Sequence, residues 1–302
     1  LTLANCDLVI ALGSRLDSRQ TANPSTFARA AKKIHVDIDK DELNNTVKTE
    51  LAIHADLKSF FEKALALAQP QSPGRYQSWM GYIKKVKTEL AIEEAGITEG
   101  VNPKAFLRKL SESAGGKEIY LTDVGNNQVW CAQELRIRSG QRFLTSGGLG
   151  TMGFAIPAGI GAYCACPDCP IVAIVGDGGF QMSIPELETI AHNQFPIKII
   201  VFNNGILGLM WHFQNENFDS TRHPATEDGY SCPDIGKIAV AYGIPFKRIA
   251  DNLYADGAIK EFLSAKGPAI LELAVHPSWA GYPKIKPGSP LEKQLPEIEE
   301  ER

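Results

Sequence analysis

Two short polar motifs contain the residue types most able to do chemistry in this chain, Gly176-Asp177-Gly178 and Asn203-Asn204. They are separated by 24 residues, and each follows an apolar, β-branched run typical of a buried parallel strand. A carboxylate and an amide oxygen are hard ligands that suit Mg²⁺, which commonly completes its coordination with phosphate oxygens. The pair therefore predicts a Mg²⁺–diphosphate site at Asp177 and Asn204.

The glycines of the first motif fit the same prediction. Gly178 and Gly179 would let backbone N–H groups approach phosphates closely, near the start of the next helix. Taken alone, each motif is more typical of an ordinary turn, since Asp, Asn and Gly all suit unusual backbone angles. Their positions after two strands favour the site, because the carboxyl ends of parallel strands share one sheet edge.

A sheet must position these motifs, and strand patterns alternate with helix patterns along the whole chain. The alternation predicts an α/β fold with parallel sheets. Strands are predicted at 7–12, 33–38, 118–121, 171–175, 197–202 and 269–274. Helices are predicted near 24–31, 56–67, 103–113, from 127, 154–165, from a Ser183/Glu186 capping box to before Pro196, 233–242 and 255–264.

Composition divides the chain into four segments. Residues 1–68 contain two predicted strands, half of a doubly wound sheet, and the Pro- and Gly-containing stretch 69–76 is predicted to be a linker. Residues 77–285 are predicted to form a complete α/β domain, and 286–302 a C-terminal tail. Because Leu1 leads almost directly into an apolar run, we expect a fragment that opens inside a domain, without a signal peptide.

Charge and composition bear on the class of protein. A net charge of -4 provides no basic surface for nucleic acid, and no apolar run reaches the roughly 20 residues that span a bilayer. We therefore expect a cytoplasmic protein that binds neither nucleic acid nor membrane. Cys164, Cys166 and Cys169 have no fourth ligand nearby in sequence, so a helix end and turn are favoured over zinc or disulfides.

The stretch from Gly176 to Asn204 resembles the thiamine-diphosphate motif of 2-keto acid decarboxylases and carboligases. Further stretches resemble one family within this class, the acetolactate synthases; they are residues 123–130, 146–153 and 203–214. Residues 13–17 and 35–39 resemble the second half of that family's middle domain. Asn126 and Asn127 depart from the family's pattern, because a Gln-His pair is common there. The resemblance implies a three-layer, parallel-sheet thiamine-diphosphate-binding (PP) domain preceded by half of a doubly wound central domain.

The resemblance also implies roles for individual residues. Mg²⁺ would be bound by Asp177, Asn204 and the backbone carbonyl of Ile206. Backbone groups of Gly150 and Met152 would bind the aminopyrimidine, with the Met152 side chain under the bend of the cofactor; a core methionine is the alternative. Phe213 would belong to the catalytic site. The diphosphate would be held by Gly125, Asn126, Asn127, Gly178 and Gly179.

In that family the cofactor supplies the chemistry, and the protein supplies orientation and a dry site. The resemblance implies that pyruvate is decarboxylated and that its two-carbon unit is transferred to a carbonyl acceptor. A glutamate from the pyrimidine-binding domain of a neighbouring subunit completes the family's site, and nothing in this chain resembles that domain. We therefore expect a homodimer or homotetramer, and we expect the 302 residues alone to be inactive.

FAD is a further expected cofactor, although relatives without flavin keep a similar fold and the flavin-free alternative stays open. The expectation depends on residues that match the flavin-contacting positions of acetolactate synthases. These residues are Gly13, Arg15, Asp37, Ile38, Asp56 and Leu57.

Two departures concern the substrate. Phe213 stands where branched-chain acetolactate synthases have Trp, and Leu209 replaces a usual Met. Acetyl transfer to another ketone, such as a ketosugar, therefore stays open, as do decarboxylation, C–C hydrolysis and a non-catalytic fragment. His212 and His223 flank the metal loop, and structural or surface roles are favoured over acid–base roles.

Overall fold

The computed structural model describes residues 1–69, 72, 74–89, 96–218, 229–253 and 257–295. Contacts divide the chain into two compact units, Leu1–Glu93 with Tyr282–Arg302, and Glu94–Gly281. Composition had instead placed the boundary at 69–76 and assigned residues up to 285 to the second domain. The difference arises because helix α4 (Gln77–Glu89) bonds to the first unit through Tyr82, and Ile285 packs against that unit's core.

The first unit contains a parallel sheet of order β1-β2-β3. The third strand was not predicted, because it has only four residues and is mostly exposed. The helix predicted near 24–31 was wrong: only Pro24–Thr26 forms a 3-10 turn, and Ala28 has a positive φ of 45°. The elements are α1 (Thr2–Asn5), β1 (Leu8–Leu12), α2 (Ser18–Thr21), β2 (Lys32–Asp37), β3 (Leu51–His54), α3 (Leu57–Leu67) and α4, with a hairpin of β10 (Lys284–Ile285) and β11 (Gln294–Leu295).

The second unit is built on a six-stranded sheet of order β5-β4-β6-β7-β9-β8, in which every pair is parallel. Its strands are β4 (Ile119–Thr122), β5 (Arg142–Thr145), β6 (Ile171–Gly176), β7 (Lys198–Asn203), β8 (Phe246–Ile249) and β9 (Ala269–Ala274). Its helices are α5 (Pro103–Ser113), α6 (Asn126–Glu134), α7 (Ala155–Ala165), α8 (Asp177–Met182), α9 (Glu186–His192), α10 (Gly208–Asn217), α11 (Ile235–Ala241) and α12 (Gly257–Ser264).

Helices cover both faces of this sheet, which confirms the predicted three-layer α/β fold. Alternate residues of β6 point to opposite faces: Val172 and Ile174 join one core cluster, whereas Ala173 and Val175 join the other. The central strands β6, β7 and β9 are buried along most of their length, so they appear in the sequence as continuous apolar runs.

Within the described residues, no helix is long and apolar enough to cross a membrane.

Two local predictions in this unit were wrong. Ser183 does not cap α9, because its hydroxyl donates to the Gly153 carbonyl at 2.8 Å and Pro185 occupies the cap position instead. The cluster of cysteines was expected to contain no disulfide, but Cys166 and Cys169 are joined by one. The predicted helix end and turn are present, since α7 ends at Ala165, and no metal-binding group of three or more His, Cys, Asp or Glu occurs among the residues described.

Candidate functional site

Both predicted motifs lie at the carboxyl edge of the six-stranded sheet. The neighbouring strands β6 and β7 end at Gly176 and Asn203, and Gly176 pairs with Phe202. Asp177 follows directly as the first residue of α8. The carboxyl-terminal ends of parallel strands are where α/β sheets place their ligands.

Asp177 is a buried carboxylate whose Oδ2 atom has no hydrogen-bond partner. Burial raises the pKa of Asp177 to about 6, against the lowering effects of the Tyr230 hydroxyl and of backbone amides that include Gly205. The loop after β7 reaches the start of α8, because a methyl group on Gly178 would lie 2.8 Å from Leu207 Cδ2. A buried carboxylate oxygen without a partner is costly unless a cation or donor is bound there, so this atom fits a metal ligand.

The loop after β7 is held by its own asparagines. Asn203 donates from Nδ2 to Glu272 Oε1 at 2.8 Å and accepts from the Gly205 amide at 3.1 Å. Gly205 has a φ of +67°, which suits glycine, and the Ile206 amide donates to Asn204 Oδ1 at 3.3 Å. The loop therefore turns tightly and keeps Asn204 and Ile206 beside the end of the strand.

Asn126 and Asn204 approach the same glycine. A methyl group built on Gly208 would lie 2.7 Å from Asn204 Nδ2 and 2.8 Å from Asn126 Nδ2. Asn126 is buried and also donates to the Trp279 carbonyl at 3.3 Å. The structure thus brings together Asn204, a predicted metal ligand, and Asn126, a predicted diphosphate ligand. Their close approach depends on Gly208, because any side chain there would meet both amides.

Asn127 is oriented differently from what its predicted diphosphate role would suggest. Its Nδ2 donates to Thr122 Oγ1 at 2.9 Å and to the Asp123 carbonyl at 3.1 Å, so both amide hydrogens have partners in the protein. The side-chain Oδ1 lies beside Gly125 and Gly176, and it cannot donate to a phosphate. A role for Asn127 toward an anion would therefore use backbone N–H groups at the start of α6.

A buried carboxylate that the sequence analysis missed holds the Gly-rich loop. Asp123 accepts from the Gly153 amide at 2.7 Å and from the Ala155 amide at 2.6 Å. Burial raises the pKa of Asp123, and these amides lower it. A methyl group on Gly179 would collide with this carboxylate. The position of Asp123 immediately after a strand, like that of Asp177, was the signal that could have identified it.

Met152 and Gly178 are neighbours. A methyl group on Gly178 would lie 3.2 Å from Met152 Cε, 2.8 Å from Leu207 Cδ2 and 3.5 Å from the Tyr230 hydroxyl. Gly150 has a φ of +67°, and a methyl group on it would lie 3.5 Å from Val124 Cγ2. The Gly-rich loop and the Gly-Asp-Gly motif therefore border one volume.

The aromatic side chains of α10 differ in exposure. Phe213 is 42% exposed and its ring contacts Phe218, with centroids 5.7 Å apart. His212 is buried, and its Nε2 lies 3.2 Å from the Trp279 carbonyl, which fits the structural role favoured from sequence. His223 lies outside the described residues.

In the first unit, the predicted flavin-contacting residues lie at the carboxyl ends of its three parallel strands. Gly13 and Leu57 are close, because a methyl group on Gly13 would lie 3.5 Å from Leu57 Cδ1. Asp56 caps α3, because its carboxylate accepts a hydrogen bond from the Ser59 amide. Asp37 is buried, whereas Ile38 is 71% exposed. Arg15 forms an ion pair with Asp17. The roles of these residues toward flavin, and flavin binding itself, stay predictions.

Comparison with protein families gives two matches. Residues 123–273, which are 151 of the 302, match the thiamine pyrophosphate enzyme C-terminal TPP binding domain. Residues 1–64 match the thiamine pyrophosphate enzyme central domain.

Among similar proteins, the acetolactate synthase large subunit of Cyanidium caldarium is 34% identical and covers 97% of this chain and 50% of that protein. The mitochondrial acetolactate synthase catalytic subunit of Saccharomyces cerevisiae is 33% identical, with 100% and 46% covered. The Escherichia coli acetolactate synthase isozyme 2 large subunit is 31% identical, with 97% and 52% covered. The chain thus spans about half the length of these relatives.

A solved structure shares the fold. The thiamine diphosphate-dependent 4-hydroxybenzoylformate decarboxylase of Rhodococcus jostii RHA1 superposes with a TM-score of 0.71 at 22% identity. The superposition covers 91% of this chain and 50% of that one.

Proposed function

The chain belongs to the thiamine pyrophosphate enzymes, and from that premise we propose that it provides the Mg²⁺–diphosphate half of an acetolactate-synthase-type carboligase site. One observation supports the proposal above the others. Asp177 keeps a buried, unpartnered carboxylate oxygen at the sheet edge that Asn204 also occupies. A non-catalytic relative would have no reason to retain a buried charge of this kind, which is costly without a cation.

The residues present fit thiamine diphosphate with Mg²⁺. Asp177, Asn204 and the Ile206 carbonyl would offer oxygen ligands to the metal. Gly178 and Gly179 lie in the first turn of α8 and have no side chains, so phosphate oxygens would be able to approach its backbone N–H groups closely. Thiamine diphosphate, when bound, stabilises the carbanion left by decarboxylation of a 2-keto acid. The chain orients it: the loop from Gly150 to Met152, held through Asp123, would contact the aminopyrimidine end.

Cofactor binding tests the proposal most directly. Calorimetry on the intact protein should show tight, Mg²⁺-dependent binding of thiamine diphosphate, and Asp177→Ala should abolish it. Glu188→Gln, which removes an exposed charge from α9, is the control and should bind like wild type. Undiminished affinity in Asp177→Ala would refute the site.

The reaction we propose is transfer of the two-carbon unit of pyruvate to a carbonyl acceptor. Simple decarboxylation, in which a proton intercepts the same carbanion, and C–C hydrolysis are the alternatives. Product analysis with pyruvate alone separates the carboligase from the decarboxylase: acetolactate supports the first, and acetaldehyde supports the second.

Phe213 and Leu209 bear on the acceptor. Phe213 is solvent-exposed on α10 and would border the substrate, where its smaller ring reshapes the pocket relative to Trp. We therefore propose a weak preference for 2-ketobutyrate over pyruvate as acceptor, and a ketosugar as a candidate acceptor. We also propose that the first unit binds FAD and that the protein is cytoplasmic. We propose further that it assembles as a homodimer or homotetramer, in which the neighbouring subunit contributes a pyrimidine-binding domain.

A further inference from the structure

Glu272 is a buried carboxylate on β9, the strand next to β7. It lies in register with Val201 of β7 on one side and with Arg248 of β8 on the other. Its Oε1 accepts a hydrogen bond from Asn203 Nδ2 at 2.8 Å and lies 3.7 Å from Arg248 Nε. A buried carboxylate is tolerated when it is both paired and hydrogen-bonded, and these two partners meet that need.

This carboxylate determines which way the side-chain amide of Asn203 faces. An ionised carboxylate only accepts hydrogen bonds, whereas a side-chain amide has a donating end and an accepting end. Asn203 therefore turns its NH₂ group toward Glu272, and its Oδ1 is left to accept from the Gly205 amide at 3.1 Å. The reversed amide would set two acceptors against each other at Glu272 and two donors against each other at Gly205.

The bond from Gly205 to Asn203 lies directly beside the predicted metal ligands. Gly205 stands between Asn204 and Ile206, which are predicted to bind Mg²⁺ through a side-chain amide and a backbone carbonyl. Its φ is +67°, and a glycine that is not held can adopt many other backbone angles. Holding the Gly205 amide thus restricts the positions of both ligands.

We propose that Glu272 is a positioning residue: through Asn203 it holds the loop after β7 in the turn that presents Asn204 and the Ile206 carbonyl to the divalent cation. The proposal rests on the proposed function, because it assumes that this loop binds the metal. Outer partners of metal ligands typically affect metal affinity by about 10–100-fold. Glu272→Met keeps the length of the side chain and removes the acceptor. We expect the dissociation constant for the cation to rise by about 10-fold, the lower end of that range, because Glu272 acts through another residue.

The test uses Mn²⁺ as a paramagnetic probe on the intact protein saturated with thiamine diphosphate. Free Mn²⁺, measured by electron paramagnetic resonance, gives the dissociation constant. The matched control is Glu261→Met on α12. Glu261 is exposed and pairs with Lys247 at 3.8 Å, so this variant also removes an acidic partner of strand β8. Its affinity for Mn²⁺ should equal that of wild type.

A double-mutant cycle asks whether Glu272 acts through Asn203. Asn203→Ala removes the bond to Gly205 itself, so it should weaken binding at least as much as Glu272→Met does. If both act by one route, adding Glu272→Met to Asn203→Ala should weaken binding no further. Glu272→Gln keeps an acceptor oxygen and should recover part of the lost affinity. It replaces Glu272→Met in the cycle if that variant does not fold.

The outcomes separate this inference from the function on which it rests. Weaker binding in Glu272→Met, partial recovery in Glu272→Gln and no further loss in the double variant support positioning by Glu272. Unchanged affinity in Glu272→Met overturns it. Effects that multiply in the double variant also overturn it, since Glu272 would then act independently of Asn203. Failure of wild type to bind Mn²⁺ and thiamine diphosphate would refute the proposed function itself.

Discussion

Replacing Asp177 with Asn should stabilise the metal-free protein while abolishing its stabilisation by Mg²⁺ and thiamine diphosphate. Burial raises the pKa of Asp177 from 3.8 to about 6, so the folded state binds this proton more tightly than the unfolded state does. Stability from this group is therefore fully present below about pH 4 and is lost as pH rises through about 6. At pH 7 the ionised carboxylate costs about 3 kcal/mol, from about 1.4 kcal/mol per pKa unit.

Asn removes that charge and keeps the shape. Its amide group takes the place of an oxygen without a partner, and an unsatisfied buried donor costs about 1–3 kcal/mol. The net gain at pH 7 should therefore lie between about 0 and 2 kcal/mol, or a rise of at most a few degrees in Tm at about 2–4 °C per kcal/mol.

Thermal unfolding in EDTA and in excess Mg²⁺ with thiamine diphosphate gives the assay. Ligand at 100 times its Kd would stabilise wild type by about 2.7 kcal/mol and the variant not at all, so the order of stability should reverse. Glu188→Gln controls for loss of a surface charge and should follow wild type in both conditions. A variant less stable than wild type in EDTA at pH 7, or a difference that does not grow between pH 4 and pH 7, would refute the reasoning.

Three further predictions concern the same site. Gly208→Ala should weaken cofactor binding at least about 10-fold by calorimetry, because its methyl group would displace the Asn204 and Asn126 amides; equal affinity would contradict the packing. Gly179→Ala should lower the free energy of unfolding by about 1–3 kcal/mol in denaturant titration, because its methyl group would collide with Asp123. The control for both is Gly161→Ala, which meets nothing within 4 Å and should be neutral or stabilising. Competition between 2-ketobutyrate and pyruvate should show little preference for 2-ketobutyrate, and a strong bias to the acetohydroxybutyrate product would show that Phe213 does not reshape the pocket.

The central strands could be predicted from sequence because their burial is complete. Residues 171–176 and 198–203 are covered by helices on both faces, so their apolar runs are continuous. The edge strands β5 and β8 could not be identified in the same way. Both lie at the ends of the sheet and contain exposed polar residues such as Arg142 and Lys247, so neither forms an apolar run.

The candidate site could be predicted in its composition but less well in its internal bonding. Asp177 and Asn204 follow buried strands, and this position alone places them at one sheet edge. The partners of Asn127 could not be foreseen, because they depend on side-chain direction at the start of α6. Tyr230 was missed for a related reason: it is distant in sequence from Gly178 and belongs to no motif, yet a methyl group on Gly178 would lie 3.5 Å from its hydroxyl.

Asp123 and Asp177 show how the same residue type is used in two ways at one sheet edge. Both carboxylates are buried after parallel strands, and burial raises the pKa of each. Asp123 accepts from two backbone amides within the protein, so its charge is compensated by the fold and it holds a loop. Asp177 has an oxygen that no group of the described chain satisfies. Folding by itself would favour a partner there or a neutral residue, and the cation proposed above would supply that partner.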